Sequence, residues 1–209
     1  MPSTHEGLVK LVARDSSDDR VVDAFRLTDR ADFVPKSQRG AAYSDRPIPL
    51  PESQTTSQPS LIARMVESAR VGPGDKVLEV GTGYGFQTAL LARLAREVVS
   101  IERFAVLARS ASENLARASI VNATVIVGDG WEGCREHGPY DAIVVSAAAS
   151  EVPRAFSEQL NEGGRLVIPV ARRGSDDVLL FVKKQGRLDE SALITPARFV
   201  PLIPGAPAS

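Results

Sequence analysis

The sequence is poor in cysteine and histidine, the residues that most often form disulfides, zinc sites and catalytic dyads. Its 209 residues include one cysteine, Cys134, and two histidines. A single cysteine excludes an intramolecular disulfide and any metal cluster that needs two cysteine ligands. We therefore expect a protein of the reducing cytoplasm that binds no metal.

The chain also has no excess of charge and few aromatic residues. Its 25 basic and 26 acidic side chains give a net charge of -1, and 5% of its residues are aromatic. Nucleic-acid-binding surfaces need a basic stripe or stacking aromatics, which this composition does not favour. No apolar run approaches the roughly 18 residues of a membrane span, and no signal-peptide pattern opens the chain. We expect a soluble, unprocessed monomer that binds neither nucleic acid nor membrane.

The length and the hydrophobic content of 43% are sufficient for a single domain, residues 1–209, with one sizeable core. Residues 1–60 form its first part, and apolar residues at helical spacing near its start predict two short amphipathic helices. A proline-rich, irregular segment, residues 33–59, follows them. Irregular segments of this length usually bind something, so we expect a binding loop there; a disordered linker is the alternative.

Strand and helix patterns alternate through the second part, residues 61–209. After a helix that residues 72–74 stop, the predicted strands are residues 76–80, 97–102, 123–127, 140–146, 164–170, 177–183 and 192–202, and the predicted helices are residues 86–95, 105–118 and 153–160. This alternation predicts an α/β fold: a doubly wound, mostly parallel sheet with helices on both faces and an N-terminal helical and loop extension. Ligands bind such sheets beyond the carboxyl ends of the strands.

The exit loop of the first predicted strand carries glycines at alternate positions, Gly81, Gly83 and Gly85. Backbone that has no side chains can approach a ligand closely there. A dinucleotide-binding loop would have its third glycine at position 86, where this sequence has Phe86. A nicotinamide cofactor is therefore not favoured.

The pattern acidic-x-Gly-x-Gly-x-Gly, which begins at Glu79, is similar to the cofactor loop of Rossmann-like class I methyltransferases that use S-adenosylmethionine. The resemblance implies that Glu79 lies near the methionine part of the cofactor and Asp129 near the adenine amino group. Glu102 ends the next strand, where its carboxylate can accept hydrogen bonds from both ribose hydroxyls. Taken singly, these features also fit a packed loop, a turn or a solvated strand end. The implied cofactor-binding residues of the core are Glu79, Gly81, Thr82, Gly83, Gly85, Glu102, Arg103, Asp129 and Gly130.

Three motifs in the proline-rich segment carry a more specific resemblance. They read Arg-Ala-Asp-Phe-Val-Pro at residues 30–35, Ala-Tyr-Ser-Asp-Arg-Pro-Ile-Pro at residues 42–49 and Gln-Thr-Thr-Ser-Gln-Pro at residues 54–59. In order and spacing they resemble the signature of the protein-L-isoaspartate O-methyltransferase family, and the likeness extends to Arg-Phe-Val-Pro-Leu at residues 198–202. The resemblance implies that Ser57 is the catalytic residue. It also implies cofactor contacts from Thr55, Thr56 and Ser57. Because the damage occurs in many sequence contexts, we expect the substrate to be bound mainly through backbone contacts, from Ala147, Ala148 and Val200.

The implied reaction is methyl transfer from S-adenosylmethionine to the α-carboxylate of isoaspartyl residues in damaged proteins, with S-adenosyl-L-homocysteine as the product. Such a carboxylate has a pKa near that of a chain terminus, roughly 3.5, so it is nucleophilic at neutral pH without a general base. The enzyme must align the reacting atoms and exclude water, and Ser57 can orient the carboxylate. The ester then closes to a succinimide without an enzyme, which repairs part of the damage.

Two departures from the family's pattern leave related activities open. Ser53 stands where a glycine is frequent, and Thr56 where an apolar residue is common. A relative that methylates one aspartate of a dedicated modified peptide is therefore an alternative to broad repair. A nucleic-acid methyltransferase would share the cofactor loop but not this composition, and the motif around Ser57 argues against a non-catalytic binding module.

Other conspicuous residues have structural interpretations. We expect His5 to lie in a frayed terminus and His137 on the surface. Cys134 is predicted to be a buried structural thiol, and Trp131 to pack against the core or the cofactor edge. Residues 204–209 are predicted to form a flexible tail.

Overall fold

The computed structural model of the protein describes residues 2–205, whose strands form one seven-stranded sheet in the order β3-β2-β1-β4-β5-β6-β7. Strands β1 to β5 are parallel, whereas β6 and β7 are antiparallel to their neighbours. The predicted α/β fold with a doubly wound, mostly parallel sheet is confirmed. The strands are β1 Lys76–Val80, β2 Glu97–Glu102, β3 Ala123–Val127, β4 Tyr140–Val145, β5 Leu160–Ala171, β6 Asp176–Lys184 and β7 Arg187–Ala197.

The order of the strands fixes where a ligand can bind. The chain builds outward from β1 through β2 to β3, then returns to the other side of β1 to form β4 and β5. Loops that leave β1 and β4 therefore run to opposite faces of the sheet and separate at its carboxyl edge. This topological switch point opens a crevice beside β1.

Six α-helices surround the sheet in the described part of the chain: α1 His5–Asp15, α2 Asp19–Arg26, α3 Pro59–Ala69, α4 Phe86–Leu94, α5 Ala105–Arg117 and α6 Arg154–Gln159. None of the helices within residues 2–205 combines the length and apolar character needed to cross a membrane. Helix α3 ends before the predicted stop at residues 72–74, because Arg70 already adopts the left-handed conformation (φ 48°) that closes it.

The two predicted N-terminal helices, α1 and α2, are present and begin at capping side chains. The Thr4 hydroxyl accepts a hydrogen bond from the Gly7 amide at 3.1 Å, and the Asp18 carboxylate accepts one from the Arg20 amide at 2.9 Å. His5 is not frayed, contrary to prediction: it starts α1, and its Nε2 lies 3.0 Å from the Arg26 carbonyl oxygen at the end of α2. The cap and this contact hold a terminus that composition alone would leave free.

The core is divided by the sheet into two apolar layers. Successive residues of the central strands point to opposite layers, so Val77 packs with the N-terminal helices and α4, and Leu78 with α6. Phe25 of α2 and Phe33 both pack against Phe86, with ring centroids 5.6 and 6.0 Å apart. The N-terminal helices thus share one core with the sheet, and Phe86 anchors them to the glycine loop.

The end of the chain differs from the prediction of a strand at residues 192–202. Strand β7 runs from Arg187 to Ala197, paired with β6 through a tight turn at Gln185 and Gly186, which both have positive φ. Its residues are mostly exposed on the sheet edge, so they carry no apolar alternation that would mark the strand. Residues 198–205 leave the sheet and cross its carboxyl edge. We call them the C-terminal strap.

Candidate active site

Loops from β1, β2 and β4 meet at the carboxyl edge, because parallel strands in register end together. Val80 is paired with both Ile101 and Val145. The glycine loop begins at Gly81, whose φ of 93° is open only to glycine, and a Cβ there would lie 3.3 Å from the Ser146 Cβ. The loop therefore passes close to the exit of β4 without a side chain between them.

An open cavity, the first cavity, lies over this loop. Its walls combine apolar side chains with polar groups, as the walls of small-molecule sites do, so the space suits a small-molecule ligand. Most of the predicted site residues line it: Thr55, Thr56, Ser57, Gly81, Thr82, Gly83, Glu102, Arg103, Gly130, Ala147 and Val200. Gly85, Glu79, Asp129 and Ala148 are not part of its wall as the structure describes it.

Glu102 presents its carboxylate to the first cavity. Both oxygens accept backbone hydrogen bonds, Oε2 from the Gly83 amide at 2.8 Å and Oε1 from the Phe104 amide at 3.0 Å. Burial raises the pKa of this carboxyl, while the backbone donors oppose that rise. A carboxylate oxygen can accept more than one hydrogen bond, so both oxygens can still receive a ligand hydroxyl. This arrangement fits the predicted role toward a ribose.

Glu79 is fully buried beneath the first cavity. Its carboxylate accepts hydrogen bonds from Ser100 Oγ at 2.6 Å, from Thr88 Oγ1, and from Gln87 Nε2 at 3.0 Å. Burial raises its pKa to about 7, and these three donors partly counteract the rise. Among its partners only Gln87 lines the cavity, so Glu79 is connected to that space through an amide rather than exposed to it.

Asp129 is likewise engaged within the protein. Its Oδ1 accepts from the Trp131 amide at 2.9 Å, and its Oδ2 accepts from the Gly205 amide of the C-terminal strap at 2.7 Å. Gly130 lines the cavity beside it, where a Cβ would come within 2.4 Å of Val80 Cγ1. The carboxylate thus holds the strap across the predicted adenine side. Of the predicted flexible tail, Gly205 is tied down here, and residues 206–209 lie outside the described residues.

Gly85 and Ala148 support the site from behind. A Cβ on Gly85 would meet Ala111 and Leu115 of α5 at 3.4 Å, so this glycine permits close helix packing. The Ala148 amide donates to the Val200 carbonyl at 2.8 Å, and its carbonyl accepts from the Leu202 amide at 2.7 Å. Both backbone groups of Ala148 therefore bind the C-terminal strap. Ala147 and Val200 lie at the cavity itself.

Ser57 stands on a wall between the first cavity and a neighbouring second cavity. The residues that line both are Thr55, Thr56, Ser57, Ser146 and Val200. The described walls of the second cavity contain two arginines, Arg198 and Arg64, and no acidic side chain; Arg64 also pairs with Asp15 at 3.9 Å. A small molecule and a negatively charged second ligand can therefore meet at Ser57.

The loop that carries Ser57 is held by Arg30, a residue whose structural role the motif did not reveal. Its side chain is fully buried, and it donates to the carbonyl oxygens of Ala42 and Ser44 at 3.0 Å, of Ser57 at 3.1 Å and of Arg46 at 3.2 Å. A fifth bond runs to Thr56 Oγ1 at 2.9 Å. Burial lowers the Arg30 pKa to about 10, so the guanidinium is charged at neutral pH.

The two departures from the family's pattern are accommodated by this loop. Ser53 has a φ of 55°, the left-handed conformation that a glycine would adopt easily, and the turn closes with the Leu50 amide donating to the Gln54 carbonyl at 2.8 Å. Thr56 Oγ1 accepts from Arg30 and from the Ile48 amide at 3.1 Å. Neither substitution opens the loop.

Gln87 and Ser146 are two of the lining residues that were not predicted from the sequence. Gln87 lies among apolar residues of α4, and Ser146 follows the last residue of β4, positions that suggest the site only once the topology is known. Cys134 was predicted to be buried. It is half-buried, because it lies on the irregular connection before β4. Within residues 2–205 no group of three metal-ligating side chains is present.

Comparison with known proteins agrees with this site. Residues 3–206 match the family model described as protein-L-isoaspartate(D-aspartate) O-methyltransferase. The chain belongs to this family. Among curated members of the protein-L-isoaspartate O-methyltransferase family, that of Methanoculleus marisnigri is 49% identical over 91% of this chain and 86% of its own length. That of Koribacter versatilis is 45% identical over 93% of this chain and 87% of its own.

Solved structures of the family have the same fold. One protein-L-isoaspartate O-methyltransferase superposes with a TM-score of 0.84 at 31% identity, over 95% of this chain and 65% of that chain. A Plasmodium falciparum structure bearing the same family name, in complex with S-adenosyl-L-homocysteine, gives a TM-score of 0.81 at 26% identity, over 97% of this chain and 99% of that chain. The likeness to the family therefore includes the N-terminal helices and the loop that carries Ser57.

Proposed function

We propose that this enzyme transfers the methyl group of S-adenosylmethionine to the α-carboxylate of isoaspartyl residues in damaged proteins and peptides. The observation that carries the proposal is the position of Ser57. It lies where a cavity suited to a small cofactor meets a second cavity that contains arginines and no acidic side chain. Family membership supports the same reaction.

The first cavity fits the cofactor by its donor and acceptor groups. Glu102 offers a buried carboxylate for two hydroxyls, and the backbone of Gly81 and Gly83 can pack against the ligand closely. The side-chain oxygen Oε1 of Gln87 is buried and has no hydrogen-bond partner among the described residues, which suits a ligand that brings a donor. When bound, S-adenosylmethionine supplies an electrophilic methyl group and leaves as S-adenosyl-L-homocysteine.

The protein's contribution to the reaction is positioning. An isoaspartyl carboxylate is ionised at neutral pH because its pKa is about 3.5, so no group of the enzyme has to remove a proton. The Ser57 hydroxyl donates a hydrogen bond to one oxygen of that carboxylate and holds the other toward the first cavity. The C-terminal strap and the loop at residues 54–57 exclude water, which would otherwise solvate the nucleophile. The methyl ester later closes to a succinimide without an enzyme.

The composition of the chain also bears on where the enzyme acts and on which class of substrate. We propose that it acts as a monomer in the cytoplasm on proteins and peptides rather than on nucleic acid. The balance of 25 basic and 26 acidic residues supports the choice of substrate, because a nucleic-acid methyltransferase needs a basic surface. Broad repair is favoured over one dedicated aspartyl peptide, because relatives 45–49% identical over most of the chain bear the name protein-L-isoaspartate O-methyltransferase.

The test is methyl transfer from labelled S-adenosylmethionine to two peptides that differ only in an isoaspartyl or aspartyl linkage. We expect transfer to the isoaspartyl peptide alone. Ser57→Ala should lower kcat by about 10–100-fold, since a hydrogen bond to a charged group contributes roughly 1.5–3 kcal/mol. Ser110→Ala, on the exposed surface of α5, is the matched control and should keep the wild-type rate.

Either of two results would refute the proposal. Equal transfer to both peptides would show that the enzyme does not recognise the isoaspartyl linkage, and a dedicated aspartyl peptide would become the next substrate to test. Full activity of Ser57→Ala would remove Ser57 from the reaction.

A further inference from the structure

Gln87 is the second residue of α4 and is 7% exposed, yet it lies on the wall of the first cavity. Its neighbours along the helix are apolar or packed into the core. A buried amide has two N–H donors and one oxygen acceptor to satisfy. The hydrogen-bond partners of these three groups indicate which kind of ligand binds in the adjacent part of the cavity.

Both N–H groups of the amide have partners inside the protein. Gln87 Nε2 donates to Glu79 Oε1 at 3.0 Å and to Ser146 Oγ at 2.9 Å. The reversed amide would turn both N–H groups away from these two buried acceptors and place its oxygen against Glu79 Oε1 instead. The observed orientation satisfies both N–H groups, so the acceptor is Oε1.

That oxygen, Gln87 Oε1, is buried and has no hydrogen-bond partner among residues 2–205. Most buried polar atoms in folded proteins are paired, so an unpaired acceptor beside a ligand cavity indicates a donor on the ligand. Its surroundings favour a cationic donor, since the Glu79 carboxylate is one hydrogen bond away and no basic side chain is bonded to the amide.

We propose that Gln87 binds the α-ammonium group of the methionine part of S-adenosylmethionine through Oε1, and that Glu79 acts on the cofactor through this amide. The inference rests on the proposed methyl transfer, which supplies the identity of the cofactor. It reconciles the predicted position of Glu79 with its burial: the carboxylate orients the amide and strengthens it as an acceptor. Ser146 completes the arrangement on the side that faces both cavities.

The experiment compares two ligands by isothermal titration without any peptide. S-adenosyl-L-homocysteine carries the ammonium, and 5′-methylthioadenosine shares the adenosine and the thioether but lacks the amino-acid part. Gln87→Met removes the amide with little change in length, and it should weaken S-adenosyl-L-homocysteine about tenfold while methylthioadenosine binding stays within twofold. Gln87→Asn, which keeps an amide but draws it back from the cavity, should show the same selective loss.

Gln159→Met is the matched control. Gln159 is also a buried amide, 4% exposed; it donates to the Glu132 carbonyl at 2.8 Å and accepts from the Cys134 amide at 2.8 Å, outside the described walls of both cavities. Both of its affinities should stay within about twofold of wild type. Thermal unfolding without ligand checks that each variant is folded.

Four outcomes would overturn the inference. Equal weakening of both ligands by the Gln87 variants would mean a structural role, and no weakening would mean that Oε1 does not bind the ligand. The same selective loss in Gln159→Met would mean that the effect is not specific to the amide at the cavity. Wild type that binds S-adenosyl-L-homocysteine but does not methylate the isoaspartyl peptide would refute only the proposed function. Wild type that binds neither ligand would refute both.

Discussion

Replacing Arg30 should separate the stability of the fold from the placement of Ser57. The guanidinium is fully buried and donates to four carbonyl oxygens and to Thr56 Oγ1, all in residues 42–57. In Arg30→Met these acceptors lose their donor. Each net bond contributes about 1 kcal/mol, so the five bonds together contribute about 5 kcal/mol. For a chain of this length we expect Tm to fall by about 10–20 °C.

Replacing Arg30 should lower kcat by more than the loss of folding stability alone explains. Arg30 binds the Ser57 carbonyl directly, so its loss frees the residue that orients the nucleophile, and small misplacements of about 1 Å can cost 100-fold in rate. We expect Arg30→Lys, which keeps the charge but not the planar set of donors, to remain folded at 20 °C and to lose at least tenfold in kcat. Because Arg30 would act through Ser57, adding Ser57→Ala should cause little further loss.

The assay combines thermal unfolding by circular dichroism with initial rates on the isoaspartyl peptide at saturating cofactor. Arg165→Lys is the matched control, because Arg165 also donates to backbone carbonyls, of Ala69 at 2.9 Å and of Arg70 at 3.0 Å, but away from both cavities. It should lower Tm and keep kcat. This prediction is wrong if Arg30→Lys keeps kcat within threefold of wild type. It is also wrong if the double variant loses kcat by the product of the losses in Arg30→Lys and Ser57→Ala.

Two further predictions concern buried carboxylates. Burial raises the pKa of the Glu79 carboxyl to about 7 from its ordinary 4.5, so the folded state binds a proton there more tightly than the unfolded state does. As pH rises from about 4.5 to 7, the free energy of unfolding of wild type should fall by about 3 kcal/mol relative to that of Glu79→Gln. Urea unfolding of both proteins at pH 5 and 7.5 measures this, and a pH-independent difference would contradict it. Glu102→Gln should weaken S-adenosyl-L-homocysteine about tenfold by titration calorimetry, because an amide has one acceptor oxygen where the carboxylate has two; a change below twofold would count against ribose binding.

Much of the core was predictable because its signals are local. Strands β1 to β3 fall on the predicted boundaries, since each is a short run rich in valine, isoleucine and other residues that favour strands. Gly81 directly follows β1 and Glu102 is the last residue of β2, so their place at the carboxyl edge follows from strand direction alone. Strand β7 was placed wrongly because an exposed edge strand needs no apolar pattern, and its pairing depends on β6.

The sequence by itself determined the fold class, the glycine loop and the motif that contains Ser57, because each depends on residues close together in the chain. Only the tertiary structure decided which side chains reach the cavities. Glu79 and Asp129 have the right sequence positions, but their carboxylates are taken up by Ser100 and by Gly205, residues 21 and 76 positions away. Arg30 and Gln87 bear on the site through bonds to distant segments. Such contacts depend on packing across the sheet, so the local sequence pattern does not predict them.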